Sequence, residues 1–196
     1  MLRARRYSIW LGLALAVEAC GGATHPPALT ATANATAVTV RDFSADLAGV
    51  RAANPDVKLS RSSAGPGASE PTLLVAYPAP SSDPGSRDVW CDATRTDWSR
   101  ARAVSFRVKS EHALKLSFSF FDRNRVAYTT WLELAGGSDW QPLRIAFDQM
   151  QPNPYFQPPD AKVGAALDLT EIKGFAFAPQ DRAAGQLWVG RFSLTQ

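Results

Sequence analysis

The chain has 196 residues, 45% of them hydrophobic and 20% charged, which is enough apolar content for one domain with a core of its own. The formal net charge is +3, and residues 1–19 supply +2 of it through Arg3, Arg5, Arg6 and Glu18. No run of five or six like charges is present, so a nucleic-acid-binding surface is excluded as a leading reading.

The chain opens on the basic stretch Met1–Arg6, followed by the apolar run Ile9–Val17. Such a run is too short to cross a ~30 Å hydrocarbon layer as a helix and has the length of an export-signal core. Small residues then lead to Cys20, Gly21 and Gly22. Val17-Glu18-Ala19-Cys20 resembles the lipobox of bacterial lipoproteins, with Glu18 as a departure. That resemblance implies a signal peptide over 1–19, a lipid on Cys20, and, through Gly21, an outer-membrane lipoprotein facing the periplasm or cell surface. The alternative is an ordinary signal peptide and a secreted protein. If Cys20 carries lipid, Cys91 is the only thiol left; otherwise a Cys20–Cys91 bridge competes. Residues 20–36 are Ala-, Thr-, Gly- and Pro-rich without an aromatic, and read as a flexible tether.

From Val38 onward the apolar pattern has period two, as strands require. Val38–Phe43, Val57–Ser60 and Leu73–Tyr77 are the first candidates. In Ala103–Val108, residues Val104, Phe106 and Val108 alternate with Ser105 and Arg107. Leu114–Phe120 repeats the alternation against Lys115, Ser117 and Ser119. Asp122–Arg125 is a turn, so Val126–Leu134 forms a hairpin with the preceding strand. Trp140–Phe147 follows, then a Pro-rich loop over Asn153–Lys162, then strands over Ile172–Ala178 and Gln186–Leu194. No helical stripe interrupts the series. The fold class is all-β, an antiparallel β-sandwich or barrel over 37–196.

Catalytic patterns are lacking. His25 and His112 are the only histidines, His25 in the tether and His112 in an expected hairpin turn. No Ser/His/Asp set, metal-ligand spacing or phosphate-cradling loop stands out. The expectation is a protein that is not an enzyme and has no cofactor or metal. Cys91 reads as a small buried hydrophobe.

The aromatics are more informative. Trp131 is out of phase with Tyr128 and Leu132, and Trp188 with Leu187 and Val189, so both point to outer sheet faces. An exposed indole offers a flat apolar platform for a sugar ring; the competing role is structural cover.

Arg41-Asp42-Phe43, Leu74–Tyr77, Asp97-Trp98-Ser99 with Val108-Lys109-Ser110, Trp140-Gln141, Phe156-Gln157-Pro158-Pro159 and Leu167-Asp168-Leu169 occur in an order and spacing that resemble the family 11 carbohydrate-binding modules and related galactose-binding-like jelly rolls. The resemblance implies two antiparallel sheets, one concave and bound to β-glucan chains. The positions that read ligand depart from the pattern: Phe156 replaces a Tyr, Ala176 a His and Pro179 a Tyr. Ser44 and Gly190 replace acidic residues of an edge calcium site. A rebuilt groove is therefore expected, with Trp131 and Trp188 as platforms on one sheet, Arg107 and Arg144 as hydrogen-bond donors, and Tyr155 and Phe156 closing it. The partner is a polysaccharide or, alternatively, another protein in a structural or assembly role. The membrane is met through the lipid, and the chain is read as a monomer.

Overall fold

The computed structural model describes residues 37–66, 70–79 and 87–196. The expected signal peptide, Cys20 and tether lie outside these residues. Thirteen strands are present among the described residues: β1 (Val38–Arg41), β2 (Val50–Ala52), β3 (Lys58–Ser62), β4 (Thr72–Tyr77), β5 (Val89–Asp92), β6 (Ala103–Ser110), β7 (Leu114–Phe121), β8 (Ala127–Leu134), β9 (Gln141–Ala146), β10 (Gln151–Pro152), β11 (Gly174–Pro179), β12 (Gly185–Val189) and β13 (Phe192–Thr195). They form two antiparallel sheets. The first, of seven strands, runs β1-β13-β6-β12-β4-β3, with β9 paired to the other edge of β6. The second, of six strands, runs β10-β8-β7-β11-β5-β2.

The sheets face each other because each long strand is apolar on alternate residues. On β6, Val104, Phe106 and Val108 are buried; on β7, Leu114, Leu116, Phe118 and Phe120 are. Phe192 sits at the centre, with ring centroids of Phe106 at 4.4 Å and Phe175 at 4.5 Å. Phe118 stacks at 6.0 Å on Phe106 across the interface between sheets. Such pairs contribute about 0.5–1.5 kcal/mol each beyond the area they bury. All strands and the apolar core fall within 38–195, so this stretch carries its own core.

Three features differ from the expectations. β6 and β7 belong to different sheets, so the turn holding His112 crosses between sheets and closes no hairpin. The last segment is two strands: at Gly190 the backbone N–H donates to the Arg107 carbonyl at 2.8 Å, and pairing passes from β4 to β1 along the same edge of β6. β2 and β5, three and four residues long, have no counterpart among the expected strands. The hairpin β7–β8 pairs as expected, from Leu114↔Leu134 to Phe121↔Ala127.

Candidate functional site

The outer face of the second sheet is built by pairing. Across the middle of the sheet the outward residues are Thr129 on β8, Ser119 on β7, Ala176 on β11, Trp90 on β5 and Arg51 on β2. One step toward the β6–β7 end lie Trp131, Ser117 and Ala178. One step the other way lie Ala127, Phe121, Gly174 and Asp92.

β11 presents only Gly174, Ala176 and Ala178 outward, while Phe175, Phe177 and Pro179 go inward. With no side chains above Cβ there, Trp90 and Phe121 meet over β11, their rings parallel to within 3° and centroids 5.6 Å apart. Ala176, Ala178 and Thr129 face outward yet are almost fully buried, so the taller side chains around them form the walls of a trough. The floor is small and hydroxylated: Ser119 Oγ and Thr129 Oγ1 lie 2.9 Å apart, and Ser117 Oγ donates to the Ala178 carbonyl at 3.3 Å.

Trp131 forms the opposite wall, with 42% of its surface exposed. Tyr155 meets it edge-on at 6.2 Å, and Phe156 meets Phe121 edge-on at 6.4 Å. The loop that carries these two rings is fixed by Gln157. Its side chain accepts from Ala127 N at 2.9 Å and donates to the carbonyls of Ala127 and Asn153, each at 3.0 Å. Trp131 and Trp90 stand three strand spacings apart, roughly 14 Å across the sheet.

At the Trp90–Phe121 end the trough opens into a depression of about 360 Å³, bordered by Arg51, Asp92, Arg123, Arg125, Glu171 and Lys173. Arg51 pairs with Asp92 at 2.8 Å, both more than half exposed, so the pair is available to a ligand's hydroxyls and weak as a source of stability. Cys91 lies beneath, fully buried, and burial pushes its thiol up to about 12.

The expected groove is divided by the fold. Trp131, Tyr155 and Phe156 lie on the second sheet, whereas Trp188, Arg107 and Arg144 lie on the outer face of the first. Trp188 pairs with Lys109 and Leu74, and the Lys109 ammonium sits 4.3 Å from its ring centre. The expectation that Trp131 and Trp188 share a sheet is corrected: strand phase fixes inside from outside, not which of two sheets a strand joins. Trp90, Phe121, Ser117, Ser119, Thr129 and Arg51 were not among the expected site residues. The large–small alternation of Gly174–Pro179 was the available signal.

Two polar clusters belong to the scaffold. Asp181 accepts from Arg87 at 2.8 Å and from the Tyr77 hydroxyl at 3.3 Å, and its second oxygen also contacts His112 Nε2. Burial foremost, and then Asp181, raise the Tyr77 phenol above its ordinary range. In the loop after β1, the carbonyls of Phe43, Ser44 and Ala45 converge on the Arg61 guanidinium, with Nε at 3.0 Å and Nη1 at 2.8 Å from the first and last. A cationic side chain thus holds the loop in which Ser44 stands.

The profile of the family described as carbohydrate binding domain (family 11) matches residues 24–194. The chain belongs to this family of jelly-roll carbohydrate-binding modules. Three solved structures resemble it in fold. The family 11 module from Clostridium thermocellum in complex with a β-1,3-1,4-mixed-linked tetrasaccharide is 19% identical, covering 81% of this chain and 95% of that one, with a TM-score of 0.64. The family 11 module of the cellulosomal cellulase Lic26A-Cel5E of the same organism is 18% identical, covering 83% and 96%, with a TM-score of 0.64. The solution structure of CtCBM11 is 18% identical, covering 81% and 94%, with a TM-score of 0.66. Among curated protein sequences none matches.

Proposed function

We propose that this domain binds a polysaccharide of the β-glucan type in the trough of the second sheet, as a non-catalytic module tethered to a membrane by a lipid on Cys20. The observation that carries the binding site is the pairing of an exposed Trp131 wall with the parallel Trp90–Phe121 rings over a floor of Ser117, Ser119, Thr129 and alanines. Aromatic walls take the apolar faces of sugar rings, while the floor hydroxyls and the exposed Arg51–Asp92 pair exchange hydrogen bonds with sugar hydroxyls. Family membership and the tetrasaccharide bound by a structural neighbour support the substrate class. The lipid anchor rests on the lipobox-like Val17–Cys20, and Gly21 after the cysteine supports an outer-membrane position facing the periplasm or the cell surface.

Tryptophan fluorescence of residues 37–196, titrated with soluble β-glucans, xylans and peptidoglycan fragments, tests the binding claim. A saturable shift with a β-glucan is expected. Trp131→Ala and Trp90→Ala each weaken it roughly fivefold or more, since a stacking ring contributes about 1 kcal/mol beyond its burial. Trp188→Ala leaves the affinity unchanged. A flat response from the folded domain across the panel contradicts the proposal.

A further inference from the structure

The outer face of the first sheet holds Arg107, Arg144 and Trp188, which the trough does not use. Pairing sets Ser105 beside Arg144 and Arg107 beside Pro142 of β9, while Lys109 pairs with Trp188 of β12. Arg191, at the break between β12 and β13, adds a further cation. Arg107, Arg144 and Arg191 surround a shallow depression of about 520 Å³ floored by Ser105, Ser193 and Thr195. Glu70 is the one carboxylate among the described residues that line it, 3.8 Å from Arg191. Among the described residues Arg107 and Arg144 form no ion pair. Next to this patch the Lys109 ammonium sits 4.3 Å from the Trp188 ring centre and 5.8 Å from that of Trp140, both indoles partly exposed. Ala37, where the chain comes in to β1, lines the same depression.

We infer that this face docks on an anionic phospholipid surface. Three arginines set against one carboxylate around the depression, with Lys109 beside it, give the charge complementarity, and the open, shallow face matches a planar surface better than a threaded chain. Indoles with one apolar and one polar edge suit the headgroup layer, and the aliphatic stems of Arg and Lys reach along it. The position of Ala37 adds a geometric reason that draws on the proposed anchor. A lipid alone holds a protein weakly and gains from a basic patch, and here the patch is where the tether would arrive. Docked so, the trough of the opposite sheet is left open to polysaccharide.

Co-sedimentation of residues 37–196, without any lipid, tests this with vesicles of phosphatidylcholine alone and of phosphatidylcholine with phosphatidylglycerol. The domain is expected to pellet with the phosphatidylglycerol vesicles and to be released by added salt. Each arginine removed lowers the partition coefficient about fivefold. Arg107→Ala/Arg144→Ala/Arg191→Ala therefore abolishes pelleting, while the corresponding triple Lys variant retains it and the exposed Lys162→Ala behaves as wild type. The triple Ala variant keeps its glucan titration, which shows that it is folded and separates this result from the trough's. Equal partition into both vesicle types, or unchanged partition of the triple Ala variant, overturns the inference. Binding to polygalacturonate without binding to anionic vesicles also overturns it, in favour of an acidic glycan.

Discussion

Three loops use the same local device, an aspartate two residues before a Ser or Thr that bonds back to it. Asp42 accepts from the Ser44 hydroxyl at 2.8 Å, Asp97 from Ser99 at 2.7 Å and Asp168 from Thr170 at 2.5 Å, each with the matching backbone N–H. The residue between is driven inward: Phe43 and Trp98 are fully buried, and Leu169 packs on the core. The side-chain hydrogen bond, followed by the backbone one, holds each of the three carboxyls below its ordinary value of 3.8. A carboxyl lowered in the folded state contributes stability above its unfolded pKa, and that contribution is lost as pH falls through the folded value. Denaturant midpoints measured from neutral pH downward are therefore expected to hold until about pH 4 and then decline. Ser99→Ala is expected to flatten that decline. Trp98 is the larger test of packing. It contacts Phe120, Phe147 and Phe175 at centroid distances of 5.7, 5.8 and 6.2 Å, and its indole N–H donates to the Arg95 carbonyl at 2.7 Å. Trp98→Ala is expected to cost about 3–5 kcal/mol in urea unfolding.

At the scale of elements, β11 and the loop carrying Tyr155 and Phe156 shape the site. β11 makes room by being small on its outer side; the loop supplies two rings and is tied to β8 by Gln157. Gln157→Ala removes three hydrogen bonds, two of them to Ala127. It is expected to lower glucan affinity several-fold while costing about 1–3 kcal/mol of stability, read by titration and by urea melts. Long alternating strands such as β6, β7 and β8 were legible because burial on one face imposes period two over eight residues. β5 was not: Val89–Asp92 is four residues long and follows a Pro-, Ser- and Gly-containing stretch, so Trp90 had no face to be assigned to. The site was only half legible for a related reason. Alternation marked Trp131 and Trp188 alike as outward, yet β8 and β12 lie in different sheets, a matter of long-range pairing that no local pattern encodes. The family resemblance supplied the jelly roll, and the structure places Ala176 on the trough floor beside Trp90.

At the scale of the whole domain, two sheets give two outer faces of different chemistry. The second sheet shows aromatic walls over small hydroxylated residues; the first shows arginines, a lysine and two indoles. A module that reads a polysaccharide on one side and rests on a surface with the other needs this division. Binding of sugar on the second sheet is tested residue by residue by amide chemical-shift mapping of residues 37–196 with a β-1,3-1,4-mixed-linked tetrasaccharide. Shifts that grow with ligand are expected over 90–92, 117–121, 127–131, 155–157 and 174–178, with 105–109, 142–144 and 186–189 unmoved. Shifts confined to the first-sheet segments, or none in either set at saturating sugar, would contradict it.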